Sequence, residues 1–388
     1  MKFNSFISVA FLTVILTGCT APISENSLKE DVLSSYELSL KWFKNSMRSK
    51  GLFYYSYNPV KDSYSNKNNA IRQLMASRLL AELSQEDSSL LSMHKKNLEF
   101  IFKYWYKEEG DNGYIEYSDK SKLGAIGMAL RTLVWSPYFS EYEKESKALA
   151  EAILSLMHSD GSFDPWYKEP SYEYNKDYML TFYSGEAILA LVEYYEKTKD
   201  SRILSAAILS QDFYIDRYVT HMKENYYPAY VPWHTQSLNK LYKITDDKKY
   251  ANAIFVLNDE LLKMQDKTNF VGRFYNPETP QYGTPHASSD GVYTEGLAYA
   301  YEVALLSGDT EHQKRYLDAI KIAVFNLRSL QYKGNASYSF EHPERIIGAF
   351  RIAENKVSTR VDCVQHTMDG YRKILQNNSP ALGLSSAN

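Results

Sequence analysis

The sequence predicts an all-α protein folded as an (α/α)6 toroid, a barrel of six helical hairpins with its long loops on one face. Three observations predict it. Helical periodicity runs along nearly the whole chain, with almost no alternating strand pattern. Tight helix–helix turns recur at 197–201, 244–248 and 306–310, each carrying an Asp or Ser suited to N-cap the next helix. The connections between hairpins are long instead, at 159–181, 266–290 and 332–360, well beyond the usual ~4–6 residues.

The N-terminal element comes first. Residues 1–19 hold one early charge, Lys2, then an apolar run over 6–16, then Leu16-Thr17-Gly18-Cys19. Spanning a bilayer takes about 20 apolar residues, so the run reads as the core of a signal peptide over 1–18. Its ending resembles the lipobox of bacterial lipoproteins, which makes Cys19 the lipidated first residue of the mature protein. The expectation is a cell-envelope protein held to the membrane by its N-terminal lipid only, with Thr20 favouring the outer membrane in a Gram-negative cell. A tether over 19–26, one toroid domain over 27–378 and a tail over 379–388 complete the division. With Cys19 lipidated, Cys363 is the one remaining thiol and no intrachain disulfide can form.

Six segments rich in small and apolar residues read as inner helices: 69–83, 122–134, 183–195, 233–242, 293–306 and 362–375. Segments 202–218, 248–264 and 311–330 are more charged and amphipathic, as outer helices should be. Landmarks at Asn69, Gly124, Gly185, Thr235, Gly296 and Thr367 lie 55, 61, 50, 61 and 71 residues apart. Six hairpins of about 62 residues then use the 370 residues of the mature protein, whereas TPR or HEAT solenoid repeats are shorter, ~34–47 residues. Long loops that recur on one side of each hairpin emerge at one end of the barrel. That end holds the N-termini of the inner helices, whose free N–H groups suit anionic or hydroxyl-rich ligands.

Composition narrows the partner. With 44 basic against 47 acidic side chains, a net charge of −3 leaves no excess to neutralise phosphates, so nucleic acid is not expected. The 34 tyrosines, twice the 17 phenylalanines, combine a flat apolar face with a polar tip and suit a wet saccharide groove. The long loops concentrate them beside Trp, His, Arg and carboxylates. We take Asp164, Glu186, Asp290, Glu295 and Asp362 as candidate catalytic carboxyls, since glycoside hydrolysis needs one protonated and one ionised carboxyl. Glu186 and Glu295 read as first-turn residues of inner helices facing the cleft; the plainer alternative for each acid is helix capping. Candidate substrate-binding residues are Trp166, Tyr183, Tyr230, Trp233, His234, Arg273, Tyr275, His286, Tyr293, Arg351, Arg360 and His366, with packing or structural ion pairs as the alternative. No His-x-x-x-His or Cys-x-x-Cys spacing calls for a metal, and no Gly-x-Ser-x-Gly elbow, phosphate loop or dinucleotide fingerprint calls for a cofactor. Cys363 lies near His366 in sequence and is a minor candidate nucleophile.

The hairpin pattern resembles the six-hairpin glycosidase-like superfamily over the whole mature protein. Ser184-Gly185-Glu186-Ala187-Ile188-Leu189-Ala190-Leu191 through Asp200, and His234 through Leu241-Tyr242-Lys243-Ile244-Thr245-Asp246, look more particularly like helices of the D-glucuronyl C5-epimerase C-terminal domain. The resemblance implies a monomeric, carbohydrate-active protein acting on a polysaccharide or oligosaccharide. Three readings follow. The first is a glycoside hydrolase pairing Glu186 or Asp164 with Glu295 or Asp290. The second is a uronate epimerase or lyase using Tyr or His as base with Arg on the carboxylate. The third is a glycan-binding envelope lipoprotein without catalysis.

Overall fold

The computed structural model describes residues 25–377, so Cys19, the signal segment, residues 19–24 of the tether and the tail lie outside the described residues. Twelve long helices carry the fold: α1 (Glu25–Lys44), α2 (Ala70–Glu86), α3 (Leu91–Tyr104), α4 (Leu123–Val134), α5 (Glu143–Ser155), α6 (Lys176–Thr198), α7 (Ser201–Ile215), α8 (Tyr230–Thr245), α9 (Lys248–Leu262), α10 (Ala287–Ser307), α11 (Thr310–Leu330) and α12 (Val361–Gln376). The even-numbered helices form the inner ring. Each packs on the next, and α12 packs back on α2, which closes an (α/α)6 toroid. Among the described residues no helix is long and apolar enough to cross a membrane.

The sixth hairpin joins the two ends of the fold. Its outer helix is α1, which packs on α12 and α11, where the hairpin count anticipated an outer helix after each inner one. The reason is burial. Leu28, Val32 and Phe43 form an apolar stripe on α1 that needs cover, and no long outer helix follows α12 among the described residues.

The tight turns form as their sequences require. Lys199, Asp246 and Gly308 end α6, α8 and α10 in the left-handed conformation, with φ of 61°, 56° and 72°. Asp200, Asp247 and Asp309 then cap α7, α9 and α11 by accepting from the backbone N–H of Arg202, Lys249 and His312. Two inner helices begin earlier than their apolar patterns suggested, because Asn175 and His286 cap them upstream. Glu186 therefore lies about three turns into α6 and Glu295 more than two turns into α10, well below the first turn expected of them.

The connections between hairpins carry a repeat that composition alone conceals. Gly-x-Phe stands at 51–53, 161–163, 272–274 and 348–350. Each Phe is buried and bridges back to the end of the preceding helix, pairing with Met47, Met157, Gln265 and Gln331 in turn. Each Gly has positive φ and lies against a carbonyl of the next outer helix around the ring: Lys96, Leu209, Ile322 and Leu38. At Gly272 φ is +92° and a Cβ would lie 1.8 Å from the Ile322 oxygen. Gly272→Ala is therefore expected to destabilise by on the order of 3 kcal/mol in a denaturant melt, through overpacking and backbone strain together. Gly283→Ala, with a φ of +95° but open space, tests the backbone share alone at about 1 kcal/mol. Equal losses in the two would show that the carbonyl contact contributes nothing.

Short strands stitch the loop end together. β1 (Ser56–Asn58) and β2 (Ser63–Tyr64) precede α2; β3 (Tyr106–Glu109), β4 (Asn112–Ile115) and β5 (Ser121–Lys122) precede α4; β6 (Trp166–Lys168) precedes α6; β7 (Arg351–Ala353) and β8 (Lys356–Arg360) precede α12. The order β2-β1-β8-β7 makes one antiparallel sheet from the loops before α2 and α12, the two inner helices where the ring closes. At two to five residues each, these strands are too short to leave an alternating pattern.

The opposite end of the barrel is plugged by ions. Arg131 of α4 donates to both oxygens of Glu193 on α6, at 2.8 and 3.0 Å. Arg78 of α2 pairs with Glu82 and with Asp369 of α12, Arg372 reaches Glu82 and Glu86, and Lys373 meets Glu302 of α10 at 2.8 Å. The inner helices are thus apolar and small toward their neighbours but charged toward the lower axis, which corrects the simple expectation that they carry less charge. Charges this deep persist only when paired.

Candidate active site

A cleft of about 530 Å³ opens at the N-terminal end of the inner ring. All six inner helices supply its wall: Arg72 from α2, Lys122 at the start of α4, Tyr183 and Glu186 from α6, Trp233 from α8, His286 and Tyr293 at and after the start of α10, and Asp362 and His366 from α12. Residues 264–286 roof it with Phe274, Tyr275 and Tyr282. With Tyr178 and Tyr227, six tyrosines face the cavity.

Glu186 is the unusual acid. Its side chain is buried, Oε2 has no hydrogen-bond partner among the described residues, and it lines the cleft. Burial pushes its carboxyl up to about 8, against the opposing pull of Arg131 and Lys122, so it carries a proton at neutral pH. Gly124 makes the space. A Cβ there would lie 2.0 Å from Glu186 Oε2 and 2.6 Å from the Tyr183 ring, so the α4–α6 contact seats this carboxyl only over a residue without a side chain.

Asp362 is the opposite case. Burial alone would raise its carboxyl, but Arg360 and Arg72 outweigh that and hold it well below the usual carboxylate range. Its oxygens accept from Arg360 Nε at 2.5 Å and Nη2 at 2.8 Å and from Ser288 Oγ at 3.0 Å, and Arg72 Nε forms an ion pair with it at 2.8 Å. Three hydrogen bonds and a second arginine therefore hold this carboxylate in place.

His366 faces the cleft with Glu295 behind it. Its Nδ1 lies 3.2 Å from Glu295 Oε2, and Trp233 meets the ring edge-on at 5.7 Å. Glu295 itself does not line the cleft. The carboxyl group on Nδ1 orients the ring and leaves Nε2 outside that contact.

The remaining predicted carboxyls are elsewhere. Asp290 accepts from the backbone N–H of Phe274 at 2.9 Å and from Asn326 Nδ2 at 2.9 Å, so it ties the roof to α11 rather than facing substrate; burial pushes it up to about 7. Asp164 lies outside the cleft, two-fifths exposed, and pairs with Lys176 and His158; the Lys176 contact lowers its carboxyl.

Among the predicted binding residues, Tyr183, Trp233, Tyr275, His286, Tyr293 and His366 line the cleft. His286 also caps α10, accepting from Ser289 N at 2.9 Å, and burial, with Arg360, lowers it to about 4. Trp166 stands behind Tyr183, edge to face at 6.5 Å. Tyr230 is buried and stacks on Tyr218 at 3.9 Å. His234 is a core histidine between Ser184 at 3.0 Å and Gln211 at 3.1 Å, lowered by burial to about 3. Arg273 stacks on Phe270 and pairs with Glu354, Arg351 donates to the Ser329 carbonyl, and Arg360 reaches the cleft only through Asp362. Cys363 is buried, and burial pushes its thiol up to about 12, which removes it as a nucleophile.

Arg72 and Lys122, the two cations that line the cleft directly, are not among the residues expected from sequence. The signal was available. Once all inner N-termini are placed at one end, the third residue after the Asn69 cap of α2 and the residue just before α4 have to face it.

No family model matches the sequence, and no curated protein matches it. Solved structures match its shape. D-mannose isomerase superposes with a TM-score of 0.69 and 12% identity, covering 91% of this chain and 99% of that one. Cellobiose 2-epimerase from Bacillus thermoamylovorans B4167 gives 0.66 and 10%, covering 89% and 99%. The GH76A α-1,6-mannanase from Salegentibacter sp. HEL1_6 gives 0.63 and 13%, covering 89% and 98%. At such identities the likeness is one of fold, the (α/α)6 toroid.

Proposed function

We propose that the protein is a carbohydrate-active enzyme that moves a proton at a sugar carbon, as an epimerase, isomerase or lyase does, with Glu186 as proton donor and His366 as base. One observation carries this reading. Of the five candidate carboxyls only Glu186 and Asp362 line the cleft; Glu186 is neutral, and Asp362 is paired with Arg360 and Arg72, which weakens it as a nucleophile or base. A two-carboxylate hydrolase would have to use this doubly paired Asp362 as its second member. The cleft offers a histidine held by a buried carboxylate instead. That two toroids of similar shape are a mannose isomerase and a cellobiose epimerase supports sugar as the substrate class.

The chemistry follows from the two groups. His366 Nε2 takes the proton from a carbon next to a carbonyl or carboxyl group, and the electron pair moves onto that oxygen. Glu186 gives its proton or a hydrogen bond to the oxygen, which in a low-dielectric wall is worth more than in water. Return of a proton to the opposite face gives the epimer, to the neighbouring carbon the isomer; loss of a β-substituent gives the unsaturated sugar. Aromatic walls from Trp233, Tyr183 and Tyr275 pack on the apolar faces of the ring.

The test is incubation with a panel of neutral and uronic saccharides in D2O, followed by NMR. Loss of a carbon-bound proton signal from the sugar, or an unsaturated end, supports proton transfer. New reducing ends without deuterium at carbon would instead make the protein a hydrolase using Glu186 as acid.

A further inference from the structure

We propose that a side pocket walled by Lys120 and Lys122 is a subsite for an anionic group on the sugar, a carboxylate or a sulfate. The inference extends the reading of the cleft above and rests on it for the sugar itself. A second cavity of about 250 Å³ shares the lining residues Asn69, Ile71 and Lys122 with the cleft, so the two adjoin, and Lys120 lines only the second. Neither lysine has an ion pair among the described residues. Their ammonium groups lie over aromatic rings instead, Lys120 at 5.1 Å from the Tyr172 centroid and Lys122 at 5.5 Å from that of Trp166. The contrast is with Lys168 on the adjoining β6, which meets Glu116 at 2.9 Å.

The surrounding charges leave this pair uncompensated. The carboxyl beside Lys122 is Glu186, which is neutral, and across the cleft Asp362 is already matched by Arg72 and Arg360. Burial and the like charge of Lys120 press Lys122 to lose its proton, a tendency an anion between them would reverse. The pair is also held in place. Ser118 and Asp119 both have positive φ, and the Tyr117 N–H to Lys120 carbonyl bond, at 3.0 Å, closes the turn that delivers Lys120. Asn69 and the first turn of α2 form the facing wall, so backbone N–H groups add to the lysines. Two half-buried ammonium groups on one small pocket are positive charge that an acidic sugar would match.

The test titrates glucuronate, glucose 6-sulfate and glucose into the wild-type protein and into Lys120→Ala/Lys122→Ala, at low and at physiological salt. The expected result is tighter binding of one or both acidic sugars than of glucose, by about tenfold at low salt and less at high salt. The double variant should lose that preference, read as the ratio of acidic-sugar to glucose affinity. A carboxylate-specific subsite favours glucuronate, and a sulfate-specific one favours glucose 6-sulfate. Equal binding of all three sugars by the wild type, no binding of either acidic sugar, or a preference that survives in the double variant overturns the subsite. The D2O panel, run in parallel on the wild type, separates the two ideas: a salt-sensitive acidic preference in a wild-type protein that turns over nothing on that panel would sink the enzymatic reading and leave the subsite standing.

Discussion

Glu186→Gln is expected to lower turnover by about 10²–10⁴-fold while leaving sugar affinity within a few-fold. The amide keeps the shape over Gly124 and keeps a hydrogen-bond donor, but it has no proton to give. The wild-type pH profile should fall on its alkaline side through about 8, the value to which burial raises this carboxyl. Stability carries the same signature with a fixed sign. A folded carboxyl at about 8, against 4.5 when unperturbed, contributes stability below pH 4.5 and loses it as pH rises through 8. Across that window the wild type should therefore weaken relative to Glu186→Gln, by on the order of a few kcal/mol, because the variant has nothing to ionise against its buried surroundings. Parallel melts at pH 5 and pH 9 check it. A constant difference would mean that the group titrates normally.

His366→Asn should remove turnover to a comparable extent, since no other free base lines the cleft. Glu295 is a positioning residue, acting through His366 Nδ1. Glu295→Gln should lower kcat with little change in KM, since the amide no longer orients the imidazole as the carboxyl group does. The double variant Glu295→Gln/His366→Asn should be no slower than His366→Asn alone, the non-additivity expected of two groups that work as one. Additive losses, or a Glu295→Gln effect on KM alone, would reduce Glu295 to a packing group.

The fold was legible because its determinants are local and repeated. Asp200, Asp247 and Asp309 mark the tight turns by capping chemistry alone, and the inner helices show themselves by small residues. The site was only half legible. A sequence shows that Glu186 and Glu295 belong to inner helices, yet their depth depends on where the helices start, and Asn175 and His286 set those starts upstream of the apolar pattern. Pairings across the ring are invisible in one dimension. Asn326 claims Asp290 from 36 positions away, and Glu295 meets His366 across 71. His234 belongs to a cleft-side segment, but adjacent helical positions face different ways: Trp233 turns to the cleft and His234 to Ser184 and Gln211. The Gly-x-Phe repeat was the missed signal, four copies of one packing device separated by irregular spacings. The tyrosine excess divides between the six cleft-lining rings and buried members such as Tyr214, Tyr218 and Tyr230.

The proposed chemistry turns on a neutral Glu186 in the cleft wall. Carboxyl 13C NMR of protein labelled at glutamate, followed over pH and compared with Glu186→Gln, reads that proton directly. The expected result is one glutamate resonance that titrates near 8 and is missing from the variant. If every glutamate has already ionised by pH 6, Glu186 is no proton donor at neutral pH and the proposed mechanism is contradicted.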